Sequence, residues 1–508
     1  MGKKQSARNI LFNVLAFGVQ FVISFYISPL IVGKVGASAY GFIGLATDFV
    51  SYAAIIATIF NSVAARFIAN SFYKEDYETA NKYFNSLVVA NIGIAGFLGI
   101  VSIVLIPNLN NILTIPVSLV VDVKLTFTLI FISYIVTLVT MVFTTSTFVT
   151  NRTDIQGVRN IIQYIVRFAF IVLFLNFISV RIYWVALATL IASIVVAILN
   201  VNLTKRLTPE LKVNLKYADR SYALELAKSG SWMALTSIST ILLRGLDLTV
   251  ANLMIGDYDM GLLSIARTMP NNVTSIINTI APIFTPVFIA FYAKDDIKGL
   301  VKNVKSSINV MALILFVPVT GFIVLSYDFY ALWQKSLTQQ ELSIVTMLSI
   351  LTVVQAYFNA TTSTMAQLSV VVNKLKLPVL VSFGCGVLSV IAEVLLIKYT
   401  SMGLYAIVLS TTVIMIIRYV VFNSMYAAWC LHQPFSCFIF DTIKTWLSLP
   451  LLFGVMYGVR KLIPVSSWIT LLIDIIICAV LGYAIMAAIY GRNEIRTMLS
   501  KIKGRLTK

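Results

Sequence analysis

Ionisable side chains are scarce in this chain: Asp, Glu, Lys and Arg make up 11% of its 508 residues, and histidine occurs once. A soluble domain carries about 25% charged residues, so a fold sustained by a charged, water-facing surface is excluded. Cysteine is rare as well. The four copies, Cys385, Cys430, Cys437 and Cys478, show no metal-ligand spacing, so neither a disulfide framework nor a metal site is expected. Also missing are a phosphate-cradling glycine loop with its lysine, the His/Glu spacing of a zinc helix and a nucleophile elbow. No catalytic residue and no cofactor is therefore expected, and an enzyme is disfavoured.

What the chain has in abundance is apolar surface: 59% of residues are hydrophobic and the mean hydropathy is +0.92, against about 45–50% apolar residues in soluble domains. Fourteen apolar runs lie at roughly 10–32, 41–65, 83–106, 122–148, 160–180, 182–203, 229–255, 261–292, 305–327, 342–372, 378–397, 402–428, 445–463 and 466–490. Each is near the ~20 residues needed to cross hydrocarbon. The expected fold is all-α and polytopic. The net charge of +18 invites a nucleic-acid reading, but its placement argues for membrane lipid as the partner. Lys and Arg in the N-terminus, the even-numbered loops and the C-terminal tail outnumber those in the opposite loops almost four to one. That asymmetry predicts two cytoplasmic termini and contact with anionic headgroups. Lys3, Lys4 and Arg8 precede an apolar run too long for a signal-peptide core, so an uncleaved first helix is expected.

The second half appears as a copy of the first at a nearly constant offset. Ile255-Gly256 and Gly261 repeat Val35-Gly36 and Gly41 at 220 residues, Tyr405-Ala406 aligns with Val185-Ala186 at 220, and Asn373-Lys374 follows Asn151-Arg152 at 222. Parallel six-helix halves are a transporter architecture. The expected organisation is an N-terminal lobe at 1–204, a cytoplasmic linker at 205–228, a C-terminal lobe at 229–428, an extra helix pair at 429–490 and a basic cytoplasmic tail at 491–508. The segment 35–41 is expected to form a tight outer turn.

Polar side chains recur on one helical face in matching spans. Asn9, Asn13, Gln20 and Ser24 share a face of span one, and Thr47, Ser51, Thr58 and Ser62 a face of span two, beside Asp48. Ser133, Thr137, Thr140, Thr144, Thr147 and Asn151 form a continuous hydroxyl stripe in span four. Thr240, Arg244 and Asp247 follow in span seven, Arg267, Asn271, Thr274 and Asn278 in span eight, and Thr352, Gln355, Asn359, Thr362, Ser369 and Asn373 in span ten. A single stripe is explained by hydroxyls bonding their own helix or packing helices closely. Six in corresponding positions predict a polar cavity. Pro270, Pro282, Pro286 and Pro318 are expected to weaken spans eight and nine locally.

Charge at membrane depth is the sharpest signal, because an ionised side chain there costs about 2.5–3.5 kcal/mol on insertion scales. Arg167, Arg244, Arg267 and Arg418 face Asp48, Asp247, Glu393 and Asp474 in number. Asp247 lies three residues after Arg244, so the two share a face, and both pairing and cavity exposure are open to them. Glu393 and Asp474, in spans without a polar stripe, are assigned to peripheral contacts. Arg244 and Arg267, with Arg66 at the inner mouth, are the candidate phosphate ligands, since guanidinium stays ionised and donates two parallel hydrogen bonds. Asp48 and Asp247 are the candidates for a coupling Na+ or proton.

Fourteen spans in two six-helix halves with the Val35-Gly36/Gly41 and Ile255-Gly256/Gly261 turns, followed by a terminal helix pair, resemble the Wzx-like polysaccharide flippases, exporters of O-antigen, capsule or teichoic-acid units in the multidrug/oligosaccharidyl-lipid/polysaccharide superfamily. The resemblance implies a MATE-like V-shaped pair of bundles in the bacterial cytoplasmic membrane. It implies transfer of an undecaprenyl-diphosphate-linked oligosaccharide from the inner to the outer leaflet by alternating access, next to polysaccharide polymerase machinery. The diphosphate would meet the arginines, the sugars the Ser/Thr/Asn stripes, and the polyprenyl tail the lipid along spans thirteen and fourteen. Relatives that flip the peptidoglycan precursor carry an arginine in the first span, and 10–32 has none, which disfavours that substrate. Two other readings remain: a cation-coupled multidrug exporter of the same superfamily, and a membrane glycan polymerase or ligase, which would need a larger external domain than these short loops supply.

Overall fold

The computed structural model describes the backbone of residues 3–506, and the side chains of these except 3, 4, 6, 7, 10 and 491–506. Among the described residues every regular element is helical. We number the spans α1 (Lys3–Val35), α2 (Ala37–Tyr73), α3 (Tyr77–Leu105), α4 (Val117–Val149), α5 (Thr153–Phe177), α6 (Tyr183–Leu207), α7 (Arg220–Gly245 with Asp247–Met254), α8 (Asp257–Tyr292), α9 (Ile297–Trp333), α10 (Gln339–Val371), α11 (Lys376–Tyr399), α12 (Leu404–Cys430), α13 (Phe435–Leu462) and α14 (Trp468–Leu506). Thirteen are long and apolar enough to cross a membrane, and α7 makes fourteen when its two pieces, bent by 41°, count as one span. The expected all-α polytopic fold is the observed one. The side chains of the basic tail, 491–508, lie outside the described residues.

The internal repeat is written into the backbone. Corresponding turns place Glu75 (φ 61°) and Asp295 (φ 56°), and Asn151 and Asn373 (both φ 54°), in the same left-handed region, while Gly36 (φ 88°) and Gly256 (φ 157°) both take positive φ. At the first of these turns Asp76 caps α3 by accepting from the Thr79 N–H, and Asp296 caps α9 by accepting from the Gly299 N–H. Sequence identity between the halves is low because apolar positions facing lipid accept many residue types. The turn positions are restrictive, since few L-residues other than Asn and Asp tolerate positive φ. The outer turn is shorter than expected: α1 ends at Val35 and α2 begins at Ala37, so Gly36 alone makes it.

Packing divides the chain into two compact units, Met1–Ile265 and Ala266–Lys508. In the first, Ile27 and Ile31 of α1 pack on Ile171, Phe174 and Leu175 of α5 and Val185 and Ala188 of α6. A second cluster joins α2, α3 and the start of α7 through Ala64, Ile68, Phe84, Leu87 and Leu226. This partition follows contact and differs from the partition by repeat, because α7 lies along α2. A Cβ on Gly230 would sit 1.8 Å from the Ile59 carbonyl oxygen, and one on Gly261 2.2 Å from that of Ala37. Only hydrogen fits in either place. In the second unit Ile277, Phe316, Val353, Ala360, Leu452 and Met456 form a core that ties α13 and α14 to α8, α9 and α10.

The connector between the repeats is a strap bound to α3. Asn81 Nδ2 donates to the Glu210 carbonyl (2.8 Å) and its Oδ1 accepts from the Lys212 N–H (2.9 Å). One helical turn on, Asn85 Nδ2 donates to the Lys212 carbonyl (2.9 Å) and its Oδ1 accepts from the Asn214 N–H (2.8 Å). Ser86 Oγ donates to the Asp219 carbonyl (3.0 Å) and accepts from the Asp219 N–H (2.9 Å). Carboxamides here do for an extended chain what a neighbouring strand would do, satisfying donor and acceptor together.

Candidate functional site

Arg244 is set in place by an irregularity of α7. Residues Ile241–Gly245 form a π turn that ends at the bend before Asp247, and such turns shift the helix register and free backbone groups. The freed Gly245 carbonyl accepts from Tyr52 Oη of α2, and that oxygen also meets Thr249 Oγ1 at 3.1 Å. Asp247 is buried, whereas Thr240 and, on α2, Thr47 and Ser51 are exposed. The three hydroxyls each donate to a carbonyl one turn earlier, Thr236, Ile43 and Thr47 respectively, leaving their lone pairs outward. Asp48 is half-buried one residue from Thr47. Arg66, exposed near the end of α2, lies over the Phe67 ring at 5.6 Å.

On α1 of the same unit, Asn13 and Gln20 are exposed and Ser24 is half-buried. Asn13 donates to the Asn9 carbonyl (2.8 Å), and Gln20 Oε1 accepts from Tyr164 Oη of α5 (3.1 Å). One turn further along α5 is Arg167, whose charged or polar neighbours are Tyr40 and Tyr164 and whose buried Nε has no hydrogen-bond partner among the described residues. The sequence alone assigns no role to Arg167. The signal was the spacing of Tyr164 and Arg167 on one face of α5.

The stripe expected in α4 is not continuous. The helix tightens to a 3-10 turn at Val142–Thr144, which rotates the later residues off the face of the earlier ones. Ser133 is buried against Ser193 of α6 (2.7 Å) and Thr147 is buried too, whereas Thr140 and Thr144 are half-exposed.

In the second unit Arg267 lies three residues before Pro270 in the continuous α8. Pro270 has no N–H, so the Ala266 carbonyl four residues earlier loses its helical donor. Ser349 Oγ of α10 donates to it instead (2.6 Å), and Tyr330 Oη of α9 meets both that carbonyl (3.5 Å) and Ser349 Oγ (2.7 Å). Pro318 repeats the arrangement: Tyr483 Oη of α14 donates to the Ile314 carbonyl (3.2 Å). These two prolines lie within continuous helices, while Pro282 and Pro286 accompany the 3-10 turn Ala281–Phe284. The expectation of local weakening therefore holds at Pro282 and Pro286. At Pro270 and Pro318 neighbouring hydroxyls replace the missing bond. Asn271 and Asn278 are exposed along α8, Asn359 is half-buried on α10, and Gln355 is buried.

Glu393 and Asp474 correct the assignment to peripheral contacts, since both are wholly buried. Glu393 Oε1 accepts from Ser389 Oγ (3.0 Å) and Thr411 Oγ1 (3.1 Å), joining α11 to α12. Also unforeseen is Asp154 at the start of α5, buried and held by Arg8 (2.9 Å), Arg152 (3.0 Å) and Gln5 (2.9 Å). It pins the start of α1 through groups about 150 residues away, a pairing that no local pattern encodes.

Residues 6–292 match the family model described as polysaccharide biosynthesis protein. The chain belongs to this family. A relative within reach of sequence comparison is the "Uncharacterized membrane protein EpsK" of Bacillus subtilis (strain 168), 23% identical over 98% of both chains. Among solved structures the fold is similar to the inward-facing form of a multidrug resistance MATE family transporter of the MOP superfamily (TM-score 0.71, 13% identity, 81% of this chain and 94% of that one). It is equally similar to the lipid II flippase MurJ in an inward closed conformation (TM-score 0.70, 15% identity, 96% and 100%). The polysaccharide biosynthesis match spans the first unit and all of α8, so it includes the π turn that carries Arg244 and the stretch of α8 with Arg267 and Pro270. The expected MATE-like membrane fold is thus the observed one.

Proposed function

We propose that this polysaccharide biosynthesis protein is a flippase, moving an undecaprenyl-diphosphate-linked oligosaccharide from the inner to the outer leaflet of the bacterial cytoplasmic membrane by alternating access, with both termini cytoplasmic. The observation that carries this reading is an arginine in each unit beside a local departure from helical hydrogen bonding, Arg244 on the π turn of α7 and Arg267 three residues before Pro270 in the continuous α8. A backbone irregularity kept at membrane depth is tolerated where it is buried in protein or lines a water-filled cavity, and guanidinium donors at those points suit the paired oxygens of a diphosphate. Arg66 serves as the first contact at the cytoplasmic side, and Arg167, which shares its surroundings with Tyr40, Tyr164 and thereby Gln20, joins the candidate ligands.

The exposed Thr47, Ser51, Thr240, Asn13, Gln20, Asn271 and Asn278 offer the acceptors and donors that sugar hydroxyls require, supported by Ser24, Thr140, Thr144, Asn359 and Gln355. The polyprenyl chain stays in hydrocarbon, where α13 and α14 present Leu447, Leu451, Ile469 and Ile476 outward. Asp48 and Asp247 are assigned to a coupling Na+ or proton. The test is export in cells whose own copy is deleted. Arg244→Ala and Arg267→Ala, inserted at normal level, should abolish surface polysaccharide, with Arg267→Lys retaining part of it. Normal surface polymer in both alanine variants overturns the assignment. The MATE-like fold alone would also suit a cation-coupled drug exporter; that reading gains if the same variants leave export intact and lower drug resistance.

A further inference from the structure

Three charged groups meet in the second unit where the ends of α9 and α13 reach the beginning of α14, away from every residue assigned above. Arg460 of α13 gives both arms of its guanidinium to Asp328 of α9, Nε to Oδ2 at 2.5 Å and a terminal nitrogen to Oδ1 at 3.1 Å. Asp474 of α14 lies within electrostatic reach of both. It is 0% exposed, and neither of its carboxyl oxygens has a hydrogen-bond partner among the described residues.

Two carboxyls therefore lie near one cation, and that cation gives two of its three nitrogens to the first. Ionising Asp474 in this setting would leave a buried charge without a hydrogen-bond donor among the described residues, and burying an unpaired charge is strongly unfavourable. A neutral carboxyl suffers only the smaller loss of its hydrogen bonds to water. The remaining titratable neighbours do not supply a positive charge: Cys478 lies one turn along α14, Tyr457 faces Arg460 from α13, and Lys461 is turned onto the Tyr457 ring at 5.1 Å. Asp474 is six residues from the start of α14 at Trp468, about 9 Å along the helix axis, so protons from the adjoining aqueous phase have a short path to it.

We propose that Asp474 is a proton-binding carboxyl and that Arg460 is shared between Asp328 and Asp474. With the proton bound, Arg460 pairs with Asp328, the arrangement observed. Loss of the proton to water leaves a carboxylate that draws the guanidinium across, loosening α13 from α9 and tightening it on α14. The helix pair outside the two repeats then answers to the proton concentration on one face of the membrane.

Infrared difference spectroscopy on the full chain in lipid nanodiscs tests this, with protons as the probe. At neutral pH the wild-type protein should show a protonated-carboxyl stretch that is missing in Asp474→Asn and that disappears at alkaline pH. In Asp328→Asn the guanidinium loses its first partner and turns to Asp474, so the same stretch should vanish at neutral pH although Asp474 is present. If wild type and Asp474→Asn have identical carboxyl spectra across the pH range, proton binding at this residue is refuted. If the stretch survives unchanged in Asp328→Asn, the shared arginine is refuted. Should Asp474→Asn fail to assemble, the comparison of wild type with Asp328→Asn gives the same reading.

Discussion

Asn85→Ala should unfasten the strap between the repeats without touching any residue assigned to substrate. The Asn85 side chain is wholly buried and makes two bonds to the strap, Nδ2 to the Lys212 carbonyl (2.9 Å) and Oδ1 from the Asn214 N–H (2.8 Å), besides one to the Asn81 carbonyl of its own helix (2.9 Å). Truncation leaves a donor and an acceptor on the strap without partners, each worth about 1–3 kcal/mol when buried. Since the strap is only partly covered, water recovers some of this, and a loss of about 2–3 kcal/mol is expected from that range. Hydrogen exchange read by mass spectrometry on purified protein should show faster exchange confined to 208–219, by roughly 30- to 150-fold if local opening carries the whole change. The control is Asn108→Ala, an exposed residue in the turn after α3 whose side chain bonds back to the Val104 carbonyl (2.8 Å), away from the strap. Exchange at 208–219 that is unchanged in Asn85→Ala, or that rises equally in the control, would refute the strap as a hydrogen-bonded element.

Gly261→Ala should lower the thermal midpoint through a clash with the Ala37 carbonyl, 2.2 Å from the added carbon, at about 1–3 kcal/mol for overpacking; an unchanged midpoint contradicts the close crossing. Ser349→Ala and Tyr330→Phe should each destabilise by about 1–2 kcal/mol, and the double variant by less than their sum, because both hydroxyls serve the Ala266 carbonyl freed by Pro270; additive losses in chemical denaturation would dissociate them. Asp219, ahead of α7, is held below the ordinary carboxylate range chiefly by the Ser221 N–H. Its contribution is therefore full above the unfolded-state value and lost as pH falls through the folded one, so the protection of the Ser221 amide, corrected for its intrinsic exchange rate, should fall in acid and Asp219→Asn should blunt that fall.

How much of this was legible in the sequence depends on the range of each interaction. The fourteen spans and the repeat were readable because hydrocarbon thickness fixes run length and positive-φ turns restrict residue type: Gly36 and Gly256, like Asn151 and Asn373, mark the same corners. The stripe in α4 was misread because period counting assumes a regular helix, and the tight turn at Val142–Thr144 breaks the register. The role of Pro270 was half visible. Its missing N–H names Ala266 as the orphaned carbonyl, but nothing local says that Ser349, 83 residues away, answers it. Glu393 and Asp474 were placed at the periphery because their own helices carry no polar stripe. Their burial is decided by other helices, α12 for the first and α9 with α13 for the second.

The central claim, that Arg244 and Arg267 are each needed for a lipid-linked diphosphate to cross the membrane, is tested most directly by mass spectrometry of the polyprenyl lipids in cells lacking this protein and complemented with Arg267→Ala. The account predicts accumulation of complete undecaprenyl-diphosphate-linked repeat units on the cytoplasmic leaflet, cleared by the wild-type gene. A lipid pool identical to that of wild-type cells, with surface polysaccharide absent or present, would contradict it.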